Sequence, residues 1–342
     1  MRRFGGGALA AMVLALAAGC GDDTGGGGGS GSLGSLREAI TEVPLEVLSE
    51  GALISWADVD AATEVAGLVR PPADDVDALV AWAMALSNDA DSVVSVPFPE
   101  TVQLVRLRSV EEFAAELGWS LADVDAFIEL HHPPARFFVA AGDLTTDGDG
   151  VSELGDGVVS AGEGDDLESA LDAATAARPL GRPLRLAEAD GLLAASLQTG
   201  PLETWLAGDG ERLDAEPGIA AVAAALDRSG AVAAAVVVRS VHLPWAHDVA
   251  GVGWSVDDGD PVITIALHLT GDDHDEAAAA LEEALAEGQT RTGLPLRDVL
   301  AVRDVAVEDE VLVLTAAPGP EGTVHAPLRM LAAQDAPFGP AG

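Results

Sequence analysis

The pattern of hydrophobic and polar positions predicts strands and helices in the first half of the chain. An apolar run at 52–56 indicates a short strand. From Val76 to Leu86 an apolar residue recurs every three or four positions, which is typical of the buried face of a helix. Asp58 stands where the N-cap of another helix is expected, because its carboxylate can accept hydrogen bonds from free backbone N–H groups. The other elements expected here are strands at 102–107, 127–130, 137–139 and 158–159 and helices at 110–117 and 167–176.

The pattern is clearer in the second half. A nearly continuous apolar run at 231–238 is typical of a strand in the interior of a sheet. Ile263, Ile265 and Leu267 share one face of another strand, since successive side chains point to opposite sides. Further strands are expected at 184–186, 192–197, 252–256, 299–307 and 311–315, hairpin turns at 189–191 and 257–260, and helices at 202–206, 219–226 and 273–287.

The order of the elements indicates the fold class. Strand, helix, helix and strand follow one another at 52–107 and again at 192–238, each time with further strands behind them. We therefore predict an α+β fold, with helices covering one face of a mainly antiparallel sheet and with two similar halves. The halves are expected at 36–182 and at 183–342, the second with a short flexible tail.

The first twenty residues predict an export signal that ends in a lipid attachment site. Two arginines precede an apolar run of about eleven residues, which suits a signal peptide and is about half the length of a membrane span. Small residues then precede Cys20, which is the only cysteine in the chain. This arrangement resembles a bacterial lipoprotein signal, whose peptidase cuts before a lipid-bearing cysteine. The resemblance implies a signal peptide at 1–19 and a protein that is lipid-anchored on the extracytoplasmic face of the cell membrane.

The alternative is an ordinary signal peptide that carries a cysteine near its end by chance. The glycine-rich segment at 20–35 favours the anchor, because it cannot form a core and would act as a flexible spacer between lipid and domain. Two acyl chains would hold the protein stably, where one would bind only marginally.

Five short motifs of the exported chain also resemble uncharacterised exported bacterial proteins, many of them actinobacterial lipoproteins. They lie at 118–125, 142–144, 192–226, 288–293 and 334–338. Such proteins have no established catalytic residues, so this resemblance implies surface anchoring and says nothing about activity.

Charge excludes some partners. The chain has 57 acidic and 17 basic residues and a net charge of −40. Nucleic acid would repel it, since such binding depends on basic residues that neutralise phosphates. Anionic lipid would repel it as well, so contact with the membrane is expected through acylated Cys20. Hydrophobic residues make up 49% of the chain, which predicts a packed core.

The densest group of candidate binding residues lies in a predicted loop between two strands. His242, Trp245, His247 and Asp248 could form a ligand site there, since loops on a rigid sheet often carry function. The alternative is that Trp245 closes the edge of the core. The histidines lack zinc-site spacing, and we expect no metal site. Nucleophile-elbow, phosphate-loop and dinucleotide motifs are absent from the sequence, so we expect no cofactor.

A second cluster, in an acidic loop, invites a calcium-site interpretation. Its members are Asp143, Asp147, Asp149, Gly150 and Glu153. Their offsets do not match an EF-hand loop. In so acidic a chain a solvated loop is the simpler interpretation.

These observations favour a non-catalytic module of the cell envelope that binds a ligand or a partner protein. A carrier for an apolar ligand is the sharper version, with helices and sheet enclosing a cavity. The alternative is an exported hydrolase or metal-dependent enzyme that uses the loop from His242 to Asp248.

Overall fold

The structure, a computed structural model, describes residues 33–102, 109–241, 243 and 245–339. Twelve strands and nine helices lie within these ranges. The strands are β1 (Leu53–Asp58), β2 (Val124–His132), β3 (Ala135–Gly142), β4 (Val151–Gly155), β5 (Val158–Ala161), β6 (Leu184–Ala189), β7 (Leu192–Ser196), β8 (Ala233–Val241), β9 (His247–Asp257), β10 (Asp260–Leu269), β11 (Leu300–Glu308) and β12 (Val311–Pro318). The helices are α1 (Leu36–Ile40), α2 (Val59–Val65), α3 (Val76–Ser87), α4 (Val110–Leu117), α5 (Thr199–Ala207), α6 (Pro217–Arg228), α7 (His274–Glu287), α8 (Leu296–Val299) and α9 (Ala326–Ala333).

All described strands belong to one antiparallel sheet, and the predicted α+β class is confirmed. Their order is β11-β12-β10-β9-β8-β1-β2-β3-β7-β6-β5-β4. Strands β6 and β7 follow the boundary expected at residues 182 and 183, and they pair with β5 and β3. The sheet is therefore continuous across that position in the chain.

Helices cover both faces of the sheet, not one as predicted. Helices α2, α3, α4, α7, α8 and α9 pack with one set of buried side chains, which defines the first face. Helices α1, α5 and α6 pack with the other set, which defines the second face. The second layer was missed because strands such as β2 alternate two apolar sets: Phe127 faces one layer, whereas Ile128 faces the other. A sheet that is buried on both sides needs cover on both.

Local chemistry accounts for several helix boundaries. Helices α2, α3 and α7 begin where the carboxylates of Asp58, Asp75 and Asp273 accept backbone N–H groups of the first turn. Helix α6 lies close to the sheet because β9 has glycine beneath it. A Cβ on Gly251 would come within 2.7 Å of a methyl carbon of Val222.

Most of the elements expected from the sequence are present, but not all. The helix expected at 167–176 is wrong: the segment holds only a short 3-10 turn at Leu171–Ala173. The backbone N–H of Leu167 donates to Leu197 at the end of β7, and that of Ala170 donates to Leu180. Tertiary contacts thus replace the helical hydrogen bonds. The strand expected at 102–107 lies almost entirely outside the described residues, and α9 was not predicted.

Candidate functional site

Trp245, from the predicted ligand loop, lies in the core. Its side chain is only 5% exposed and packs with the apolar residues of the first face. The indole N–H donates to the carbonyl oxygen of Pro337 at 2.8 Å. The ring therefore joins the start of β9 to the segment after α9, and its polar atom is already bonded within the protein.

His247 and Asp248 follow Trp245 closely but point to opposite faces of the sheet. His247 is 1% exposed and lies beside a cavity of about 160 Å³ together with Leu53 and Leu328. Its Nδ1 lies 3.1 Å from the carbonyl oxygen of Trp245. Burial lowers the pKa of His247 below its ordinary value of 6.5.

Asp248 is bonded on the other side of the sheet. Its Oδ1 lies 2.7 Å from Nδ1 of His268, beside Gly218 of α6. Successive residues of a strand point to opposite sides, so Asp248 and His247 do not share one site.

Two predicted site residues, Cys20 and His242, lie outside the described residues. The acidic loop that includes Asp147 and Asp149 is described, and it packs against the end of α4. The N–H of Asp149 donates to the carbonyl oxygen of Ala115. In the described part of the chain, no three His, Cys, Asp or Glu side chains come together in a way that could hold a metal ion.

A different region, which was not predicted, forms a cleft on the first face of the sheet. It lies between the turn that joins β2 to β3 and the segment at 177–184. We call it the arginine cleft, because Arg136, Arg178 and Arg182 line it. The cleft encloses about 210 Å³ and is partly open to solvent. Its other lining residues are Glu100, His131, Pro133, Pro134, Ala177, Pro179, Leu180, Leu184 and Leu197.

A buried carboxylate forms the inner end of this region. Glu129, on β2, is only 2% exposed. Its Oε1 accepts both the N–H of Thr101, at 2.9 Å, and the hydroxyl of Thr101, at 2.6 Å. Its Oε2 accepts the N–H of Glu100 at 2.7 Å. These bonds hold the 99–102 turn over the sheet and leave little capacity for another donor.

Arg136, on β3, is the least satisfied of the three arginines. Its side chain is 11% exposed, and its Nε is buried without a hydrogen-bond partner. The nearest carboxylate oxygen is Oε1 of Glu129, 3.9 Å away, which is beyond hydrogen-bond distance. A buried polar group that lacks a partner costs about 1–3 kcal/mol, and more when it is charged. The Nε–H group of Arg136 therefore lacks a hydrogen-bond acceptor within the protein.

The other two arginines have internal partners. Nε of Arg178 lies 2.6 Å from Oε1 of Glu116 on α4, and both side chains are 11% exposed. Nε of Arg182 donates to the hydroxyl of Ser169 at 2.9 Å, a neutral acceptor. Gly162 leaves room for this arrangement, since a Cβ there would collide with the guanidinium of Arg178.

Sequence reasoning missed the cleft, although the sequence carries a signal for it. Acidic residues make up 57 of the 342 positions. Neither 130–142 nor 173–187 contains an acidic residue. These two segments supply all of the lining residues of the cleft except Glu100 and Leu197. A loss of acidic residues around arginine is informative in a chain whose surface is otherwise strongly negative.

A serine–histidine contact also occurs on the first face, away from the cleft. Nδ1 of His325 lies 2.8 Å from the hydroxyl of Ser95, and Nε2 lies 2.8 Å from the carbonyl oxygen of Asp89. Because a carbonyl only accepts, Nε2 carries the proton and Nδ1 accepts from the serine. Ser95 is 0% exposed. The contact therefore joins the start of α9 to the turn after α3.

Comparisons with known proteins give a distant likeness. No protein-family model and no curated protein sequence matches the chain. Crystal form III of a protein named TP0453 is similar over 81% of this chain and 94% of that one, with 9% identity and a TM-score of 0.37. Crystal form I covers 86% and 98%, with 8% identity and the same TM-score. A likeness this distant supports no conclusion about function.

None of the helices in the described ranges combines the length and the apolar character that crossing a membrane requires.

Proposed function

We propose that the protein is a lipid-anchored, extracytoplasmic module of the cell envelope that binds a small ligand in the arginine cleft. The leader and Cys20 support the anchor. The observation that carries the binding role is Arg136, whose side chain lines the cleft, is only 11% exposed and has a buried Nε with no hydrogen-bond partner among the described residues.

The geometry of the cleft agrees with such a role. Ligand sites combine a mostly apolar lining with a few convergent polar groups. Here prolines and leucines form the walls and guanidinium groups supply the donors. The volume of about 210 Å³ is below the ~300–1,000 Å³ typical of sites for drug-sized ligands. It suits a small molecule or one end of a longer one.

The anchor is tested by replacing Cys20 in the full chain. In a bacterial host that processes lipoproteins, we expect Cys20→Ala to move the protein from the membrane fraction to the soluble fraction. A Ser32→Ala variant is the matched control and should stay with the membrane. Unchanged membrane association of Cys20→Ala would contradict lipid anchoring.

The site is tested by filling it. Ala177 lines the cleft and is 5% exposed, so Ala177→Leu places a larger side chain in the cavity. Melting temperatures are measured with a panel of neutral, cationic and anionic small amphiphiles. We expect at least one compound to raise the melting temperature of the wild type and not that of Ala177→Leu. Ala301→Leu, on exposed β11, is the control. If every active compound raises the melting temperatures of the wild type and of Ala177→Leu equally, or if no compound raises either, the result counts against the cleft as a binding site.

A further inference from the structure

We propose that the ligand class of the arginine cleft is a carboxylate-bearing amphiphile, similar to a medium-chain fatty acid, with its carboxylate on Arg136 and its apolar end along the proline and leucine walls. This inference rests on the proposed function, because it names the ligand of the same site.

The balance of charges around the cleft sets the charge of the ligand. Arg136, Arg178 and Arg182 bring three positive charges. Two carboxylates lie against them: Glu116, which is paired with Arg178, and Glu129, which lies near Arg136. Among the charges that are at least partly buried, one positive charge is therefore left over; the third carboxylate of the cleft, that of Glu100, is exposed to solvent. A ligand with one negative charge would neutralise this remaining positive charge, whereas a dianion would leave a net negative charge.

Glu100 acts in the same direction. It also lines the cleft, and its side chain is exposed at the rim. Its carboxylate has no charged partner in the described structure, and it repels a ligand with two negative charges more strongly than a ligand with one.

The geometry of the guanidinium donors favours an oxyanion. A guanidinium presents its N–H groups in a flat fork that matches two oxygens of a carboxylate or of a phosphate, so the charge balance of the cleft is what favours the carboxylate. Glu129 does not supply these oxygens to Arg136: its Oε1 lies 3.9 Å from Nε of Arg136 and already accepts two hydrogen bonds from Thr101, and its Oε2 accepts the N–H of Glu100. An external carboxylate would satisfy the fork and remove the cost of the unpaired buried group.

The walls require an apolar segment next to the charge. Pro133, Pro134 and Leu180 lie on the open side, and Leu184 and Leu197 lie deeper in the cleft. Covering them would remove apolar surface from water, which favours binding. A free inorganic anion would leave these walls wet, so the observations favour an amphiphile over a simple ion.

Calorimetric titration tests this assignment. The full chain with Cys20→Ala is purified without detergent, and octanoate, octyl phosphate, octanol and octylamine are titrated separately near neutral pH. We expect octanoate to bind and each of the other three to bind at least about tenfold more weakly, because octanol and octylamine lack a charged acceptor and octyl phosphate carries a second negative charge.

Two variants locate the carboxylate. Arg136→Gln should weaken octanoate binding by about tenfold or more. Arg303→Gln removes the same charge from the exposed far edge strand β11 and should leave binding unchanged. If Arg136→Gln fails to fold, Arg182→Gln takes its place and should weaken binding as well. Equal octanoate affinity in wild type and cleft variants would overturn the proposal, as would octanol or octyl phosphate that binds as tightly as octanoate.

The result also separates the ligand class from the proposed function. If octanoate does not bind but a neutral or cationic compound binds the wild type and not Ala177→Leu, the ligand class is wrong and the cleft is still a binding site. If no compound binds the wild type more tightly than Ala177→Leu, both the ligand class and the cleft as a binding site are wrong.

Discussion

The segment that ends at Asp248 and the arginine cleft lie on the same sheet, but they differ in how their polar groups are bonded. In the loop, the polar atoms of Trp245 and Asp248 have partners within the protein. In the cleft, Arg136 is buried beside apolar walls with its Nε unpaired. The polar groups of the first region are bonded within the protein and stabilise the fold, whereas the second region has a buried N–H group with no partner.

This difference teaches that residue type alone does not mark a site. A histidine, tryptophan and aspartate close together in sequence suggested binding, yet the alternation of a strand sends His247 and Asp248 to opposite faces. Arginines more than forty residues apart in sequence, Arg136 and Arg178, meet in the cleft. The unmet hydrogen-bonding capacity, seen only in three dimensions, separates the two regions.

The largest expected effect comes from removing the tryptophan of the loop. Trp245→Ala deletes a buried ring and its bond to Pro337, so we expect the free energy of unfolding to fall by about 3–5 kcal/mol. Trp245→Phe, which keeps most of the packing, should cost less. Urea unfolding measures both. A loss below about 1 kcal/mol for Trp245→Ala would break the comparison, because the loop would then not be structural.

The next effect compares two arginines that are both largely buried. Arg185 bonds to Asp166, to the hydroxyl of Ser160 and to the carbonyl oxygen of Gly164. We expect Arg185→Gln to lower the free energy of unfolding by about 2–3 kcal/mol. The side chain of Arg136 makes no hydrogen bond to a described residue, so Arg136→Gln should change the free energy of unfolding by less than about 1 kcal/mol. Chemical unfolding of the two variants checks this, and equal losses would show that Arg136 is structural.

Acid should weaken the fold through its buried histidines. Burial lowers the pKa of His247 and of His325 below 6.5, so the unfolded chain binds more protons than the folded one as the pH falls below that value. The free energy of unfolding should therefore decrease between about pH 7 and about pH 5. Burial raises the pKa of Asp58 and Asp227 above 3.8, and this acts with the opposite sign at lower pH.

The check on this prediction is the slope of stability against pH. His247→Gln and His325→Gln each remove one titrating ring, so each slope should be smaller than that of the wild type. A wild-type slope that is unchanged in both variants would show that other groups cause the acid sensitivity.

The smallest effect is expected at the partly exposed contact between Asp248 of β9 and His268 of β10. The side chains of Asp248 and His268 are 37% and 15% exposed. Such pairs contribute about 0–1 kcal/mol, so Asp248→Asn should change stability by no more than that and leave octanoate binding unaltered. A clear loss of octanoate affinity in this variant would move the site from the cleft to the loop.

The sequence predicted the elements well where one pattern dominated. The alternation of Ile263 and Ile265 and the cap at Asp58 correspond to β10 and α2. It failed where tertiary contacts override local preference. The alanine-rich segment at 167–176 favours a helix, but its backbone bonds to Leu197 and Leu180 instead.

The candidate site was beyond prediction for a related reason. Its parts come from a strand, a turn and an irregular segment that are distant in sequence, and their meeting depends on β7 pairing with β3. The absence of acidic residues around Arg136 and Arg178 was visible in the sequence. The missing hydrogen-bond partner of Nε of Arg136 was not visible there.

The attachment of α1 to the second face fixes the direction from which the cleft is reached. Asp227 of α6 accepts the backbone N–H groups of Leu36 and Arg37, and Trp56 donates to the carbonyl oxygen of Leu33. Residue 33, where the described chain begins, therefore lies on the second face, opposite the arginine cleft. Under the proposed anchor at Cys20, the cleft and the point where the domain begins are on opposite faces of the sheet, so a ligand could enter the cleft without passing the anchored side.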